Sequence, residues 1–236
     1  MAQKKYFALV RKIVQYNLKI IFAGKFFWFL LAAFGFFGFF MYNDAANTMT
    51  EINEGSVYSV LMFPCLLLIF YPVVFGIQND EDTRILEIIF GIPNYRYKIW
   101  GVRMLIIYVA NYLILILFAY IARILLFPVN AFEMAAHLLF PMLFFGNLAF
   151  MISTITRSGN GTAVVIIITG FIFLAFGGTI GSTMWNVFIN PFAMPNDMHP
   201  TVWADTILKS RIFLFIGGIV WLMIGLLNLQ KREKFV

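Results

Sequence analysis

Few residues of this 236-residue chain could perform chemistry. It contains two histidines, His137 and His199, and one cysteine, Cys65, which lies in an apolar run. Glu133 and His137 are four residues apart and would share one helix face as metal ligands, but a zinc site takes three or four protein ligands. An acid near a helix start is also favourable without a metal. We therefore expect neither a catalytic nor a metal site in this chain.

Sequence motifs for nucleotide chemistry and hydrolysis do not occur. The chain has no Gly-x-x-x-x-Gly-Lys-Ser/Thr loop, no Gly-x-Ser-x-Gly elbow and no His-Glu-x-x-His pair. A nucleotide phosphate therefore cannot be cradled here by the usual glycine-rich loop. We expect the chain itself to bind no cofactor.

Two amides, Asn111 and Asn147, are the notable polar residues in the middle of long apolar runs. Such residues either tie helices together or line a transport pathway, and the sequence leaves both interpretations open. Acidic residues are missing at this depth, which disfavours a proton- or sodium-driven carrier. An intramembrane enzyme would need a nucleophile with a partner inside the membrane, and no such pair is evident.

The elements that must position these residues are membrane spans. Hydrophobic residues make up 62% of the chain and charged residues only 12%, against about 25% charged residues in ordinary soluble domains. Crossing a bilayer takes about 20 apolar residues in a helix. Six runs qualify, at residues 26–42, 57–77, 99–127, 131–155, 162–180 and 212–229. The sequence thus predicts an all-α integral membrane protein, with residues 1–236 forming one transmembrane domain.

The distribution of Lys and Arg predicts the orientation. An even number of spans puts both termini on the same side, and every basic residue except Arg123, Lys209 and Arg211 falls on that side. Both termini are therefore predicted to be cytoplasmic. The net charge of +6 is explained by this topology, so we expect no nucleic-acid partner.

Residues 1–25 precede the first span and are amphipathic. Basic residues such as Lys4 and Arg11 recur at helical spacing on one face, and apolar residues such as Leu9 and Ile13 occupy the other. The pattern predicts an interfacial helix with its basic face toward lipid headgroups. An ordinary basic flank that only sets the topology is the alternative.

The charged connection between the second and third spans, residues 79–96, is the most informative segment. Its acids, beginning at Asp80, suit a helix start. Apolar residues such as Leu86 and Ile89 follow on one face, and Pro93 ends the pattern. A short amphipathic helix on the cytoplasmic face would suit docking against a soluble partner, whereas a solvated, positive-inside loop is the alternative.

This segment resembles the corresponding part of the ABC-2 type transporter permeases, the membrane subunits of bacterial ABC exporters. The family pattern is an acidic pair, a Gly-Thr-Leu-Glu-like stretch, an apolar run, a proline and then a basic residue with a following helix. The residues that match are Asp80, Asp82, Leu86, Glu87, Pro93, Arg96, Tyr97, Ile99 and Arg103. The chain departs from the pattern at Arg84-Ile85, where the family has Gly-Thr. The order of features along the whole chain is also similar.

The resemblance implies a complex of two permease chains, identical or related, with two ATPase subunits that hold ATP and Mg²⁺. Residues 79–96 would contain the coupling helix, and residues 182–209 would form short re-entrant helices on the outer side. The implied ATPase-coupling residues are Asp80, Asp82, Leu86, Glu87, Ile89, Pro93, Arg96 and Arg157.

The expected cargo is hydrophobic or amphipathic, because the spans show no acidic or basic lining. A peptide, bacteriocin or drug is the first expectation, and a lipid or lipid-linked glycan is the alternative. The implied location is the bacterial plasma membrane, with membrane lipid around the spans.

Overall fold

The structure, a computed structural model, describes residues 25–46, 52–84, 95–177 and 179–229, and every regular element within them is helical. The elements in chain order are α1 (Phe26–Ala46), α2 (Glu54–Val74), α3 (Gly76–Asp82), a π-helical turn (Arg96–Gly101), α4 (Val102–Leu125), α5 (Ala131–Thr156), α6 (Gly159–Gly177) and α7 (Pro200–Asn228). Six helical stretches of the described residues are long and apolar enough to cross a membrane. The second of them, Glu54–Asp82, continues from α2 through α3, and the third, Tyr97–Leu125, includes most of the π-helical turn. The all-helical fold and the six predicted spans are confirmed, and they fit a multi-pass membrane protein. The predicted interfacial helix of residues 1–25 lies, apart from Lys25, outside the described residues.

The chain between α6 and α7 differs from the prediction. Residues 179–199 form successive turns, and the re-entrant helices predicted for residues 182–209 are not found there. Asn186 and Asn190 accept hydrogen bonds from backbone N–H groups two residues ahead, a side-chain arrangement that favours turns over helix. α7 then begins at Pro200, because Pro suits the first helical position and His199 caps the helix.

Helix α5 is the centre of the bundle. In its apolar stretch 67% of the residues are buried, against 17% in α6. Its largest interface is with α7, where glycines let the two helices approach closely: a Cβ at Gly225 would lie 2.7 Å from the Phe150 ring. Small residues have this role in membranes because lipid is as apolar as the side chains, so close packing must hold helices together.

Helix α1 packs on the bundle through aromatic rings. Phe37 stacks on Phe118 of α4 at a centroid distance of 5.0 Å, and Phe29 lies 5.0 Å from Tyr71 of α2. Much of its remaining surface, including Trp28, is exposed to the surroundings of the bundle. This exposed apolar surface suits contact with lipid.

Gly146 of α5 lies where α2 and α4 meet, and we expect Gly146→Ala to destabilise the bundle. An added Cβ would lie 2.7 Å from the Tyr108 hydroxyl and 2.8 Å from Ile69 Cγ1. Overpacking of this kind costs about 1–3 kcal/mol. Thermal unfolding in lipid nanodiscs checks the prediction, with Gly38→Ala as control because no atom lies within 4 Å of its added Cβ. Equal unfolding temperatures for both variants would contradict it.

Candidate functional site

One end of the bundle, here called the Asp80 end, gathers the end of α2, helix α3, the π-helical turn, the α5–α6 turn and the end of α7. Gln78 of α3 accepts a hydrogen bond from the backbone N–H of Gly159, the first residue of α6, at 2.6 Å. The Tyr95 hydroxyl donates to the carbonyl of Leu229, beyond α7. The connection after α2 is therefore attached to several helices at its two described ends.

A buried ion pair joins α3 to α4 at this end. The Arg103 guanidinium donates two hydrogen bonds to the Asp80 carboxylate, at 2.6 and 3.1 Å, and the two side chains are only 4% and 2% exposed. The Trp100 ring lies 4.7 Å from the guanidinium carbon, so a cation–π contact supports the pair. Trp100 belongs to the π-helical turn, a rare geometry that is frequent at functional sites. Arg103 therefore lies inside the protein and does not reach the lipid interface.

The predicted coupling residues differ in burial and in position along the chain. Asp80 is turned into the protein toward Arg103, whereas Asp82 is exposed two residues later. Arg96 begins the π-helical turn. Leu86, Glu87, Ile89 and Pro93 lie outside the described residues, so their role remains a prediction.

Arg157 ends α5 in a left-handed backbone conformation, with φ of 55°. This position usually carries Gly, because a side chain there meets a steric penalty of about 1–2 kcal/mol. Arg84, just after α3, has the same φ. Two arginines thus occupy strained positions at the Asp80 end, which is a reason to look for a function of the side chains.

The two mid-span amides have different surroundings. Asn147 of α5 accepts a hydrogen bond of 2.7 Å from the Tyr108 hydroxyl of α4, and it therefore ties two helices together. Asn111 of α4 is fully buried, and neither its amide nitrogen nor its amide oxygen has a hydrogen-bond partner among the residues that the structure describes. Whether Asn111 or Asn147 lines a transport pathway remains a prediction.

The structure adds a residue that sequence reasoning missed. The distribution of basic residues predicts Arg211 on the outer flank of the last span, whereas in α7 its side chain is only 5% exposed. The sequence carries no signal for this burial, since an arginine directly before a long apolar run is also the usual flank of a membrane span. The end of the bundle that contains Arg211, opposite the Asp80 end, is called the Arg211 end below.

Comparison of the chain with protein-family models, with curated proteins and with solved structures gives no match.

Proposed function

We propose that this chain is the membrane-spanning subunit of an ATP-driven exporter whose ATPase is a separate polypeptide. The observation that carries the proposal is the attachment of α3 to three spans at the Asp80 end. The proposed complex contains two such membrane chains, identical or related, and two ATPase subunits below them in the bacterial plasma membrane. Both termini lie in the cytoplasm.

The contacts of α3 would transmit a movement of the connection to the membrane spans. The backbone N–H of Phe75, the single residue between α2 and α3, donates to Tyr71 of α2. Asp80 fixes α3 to α4 through Arg103, and Gln78 fixes it to the start of α6. A force applied to the connection by an ATPase would therefore reach α2, α4 and α6 together. This is what a coupling element requires, since the ATPase and the transport pathway are separated in space.

The α5–α6 turn is proposed as a second contact with the ATPase. It lies beside α3 through the bond between Gly159 and Gln78. Arg157 at this turn keeps a conformation that Gly would adopt at lower energy. A functional side chain would account for an arginine at this position.

We expect the purified chain to hydrolyse no ATP by itself and to co-purify with a soluble ATPase from the membranes of its native host. The proposal assigns nucleotide binding to the partner, so hydrolysis should follow the partner when the complex is dissociated. Phosphate release is measured on the affinity-purified complex and on the stripped chain. Robust ATP hydrolysis by the stripped chain would refute the proposal that the ATPase is a separate polypeptide.

Orientation is tested with single cysteines in a Cys65→Ser background, since Cys65 is the sole cysteine of the chain. New cysteines replace Asp197, in the segment of residues 179–199, and Ser158, in the α5–α6 turn; both positions are exposed. We expect a membrane-impermeant maleimide added to intact cells to label the first position only. Labelling of Ser158→Cys alone would reverse the proposed topology.

A further inference from the structure

Two arginines are buried among the described residues, Arg103 and Arg211, and their surroundings differ. Arg103 has a carboxylate partner at 2.6 Å. Within the described part of the chain, Arg211 donates only to neutral oxygens, the Tyr58 hydroxyl at 3.3 Å and the Ile189 carbonyl at 3.4 Å, and its Nε and Nη1 have no partner there. Among the described residues no carboxylate lies within 4 Å of it.

A cation buried in this way needs a counter-charge. Arg cannot lose its proton in a protein, so it cannot become neutral as a buried Lys can. Removing an unpaired ion from water costs several kcal/mol even after relaxation. The Phe140 ring, 5.6 Å from the guanidinium carbon, offsets only part of that cost. The unpaired donors therefore indicate a binding group for an anion.

The position of Arg211 along α7 suits the head of an amphiphile. Residues 212–227 follow it and extend about 24 Å at 1.5 Å per residue, which is most of a hydrocarbon core of about 30 Å. The residues before it carry the exposed pair Lys209–Asp205. Arg211 is thus at the boundary between headgroups and acyl chains.

An apolar groove between α2 and α6 begins beside the same cluster. One part has a volume of about 200 Å³, and the other, which lies near Tyr58 and is called the mouth here, has a volume of about 270 Å³. The two parts share Phe63, Leu66, Leu174 and Phe188, so they form one continuous groove. Ser59 and Asn190 supply polar atoms at the mouth. Tyr58 therefore joins the groove to Arg211, which donates to its hydroxyl.

We propose that Arg211 and this groove form a binding site for an amphiphile with one phosphate or carboxylate head and an acyl chain. The acyl chain of the amphiphile lies in the groove, and its head pairs with the Arg211 guanidinium. The segment of residues 179–199 covers Arg211 through the Ile189 carbonyl, and its Phe192 ring lies 5.9 Å from that of Tyr58. The head reaches the guanidinium when this segment shifts.

The role of the amphiphile as cargo rests on the proposed function. Binding of the amphiphile does not, because it is a property of this protein alone. The binding test is native mass spectrometry of the purified chain, titrated with lysophosphatidic acid, with lysophosphatidylcholine of the same acyl chain, and with inorganic phosphate. We expect the anionic amphiphile to bind at least about tenfold more tightly than the zwitterionic one, because the choline cation of the zwitterionic head offsets the attraction of its phosphate to Arg211. Inorganic phosphate should bind more weakly than either.

Three variants distinguish binding of the anionic head from binding of the acyl chain. Arg211→Gln should abolish the preference for the anionic amphiphile, whereas Lys209→Gln, which removes an exposed cation, should keep it. Gly170→Leu should weaken both amphiphiles, because Gly170 lines the groove and its added Cβ meets no atom within 4 Å. Size-exclusion profiles establish that each variant is folded.

The proposal is overturned if Arg211→Gln binds lysophosphatidic acid as the wild type does, or if inorganic phosphate binds equally well. Stimulation of the ATPase rate of the complex by lysophosphatidic acid supports cargo. If lysophosphatidic acid binds without changing the ATPase rate, the binding site stands, but its occupant is a resident lipid and is not exported cargo.

Discussion

Replacing Asp80 by Asn is expected to lower the free energy of unfolding by about 3–5 kcal/mol. The change leaves the Arg103 guanidinium buried without a counter-charge, and breaking a buried pair by removing one partner costs this much. The two side chains are 2% and 4% exposed, so water cannot replace the lost carboxylate without rearrangement. Thermal and denaturant unfolding in lipid nanodiscs measures the loss.

Asp82→Asn is the matched control for this experiment, since Asp82 is exposed two residues further along the chain. It should change stability by less than about 0.5 kcal/mol. The double variant Asp80→Asn with Arg103→Gln should recover much of the loss, because removing both charges leaves none uncompensated. If Asp80→Asn and Asp82→Asn unfold alike, the ion pair does not hold α3 to α4.

The spans could be predicted from the sequence because the length of an apolar run follows from bilayer thickness. The start of α7 could not be found in this way. Residues 200–209 contain Asp205 and Lys209, which interrupt the apolar run, yet α7 continues through them. The helix start is fixed instead by Pro200 and the cap at His199.

The pairing of Asp80 with Arg103 could not be predicted for a different reason. The charge distribution predicts both residues at the cytoplasmic end. It does not distinguish an acid that is buried from one that lies on an exposed docking surface. Only the packing of α3 against its neighbouring helices turns this carboxylate inward. The same limit applies to Arg211, since a flanking arginine and a buried one have the same local sequence, and its partners Tyr58 and Ile189 come from distant parts of the chain.

Glu87→Lys is expected to weaken binding of the ATPase by at least about 30-fold, or to uncouple ATP hydrolysis from export. We predict Glu87 as an anchor toward the ATPase, and anchors of this kind contribute about 2 kcal/mol or more each. Its connection starts and ends at residues fixed to the bundle, by Asp80 on one side and by Tyr95 on the other. A change between these two attachments should therefore alter what the ATPase contacts while the bundle remains intact.

Unfolding measurements distinguish this effect from that of Asp80→Asn. Glu87→Lys should unfold at the wild-type temperature and still insert, since an added cytoplasmic cation agrees with the positive-inside rule. Pull-down of the ATPase and transport are measured at equal membrane levels for the wild type, Glu87→Lys, Leu86→Asp and Asp82→Asn. Because Asp82 is itself a predicted coupling residue, its variant also reports whether contact with the ATPase extends back to α3. Wild-type binding and transport by both Glu87→Lys and Leu86→Asp would reduce the connection to a solvated loop, and the force from the ATPase would then have to enter through the α5–α6 turn at Arg157.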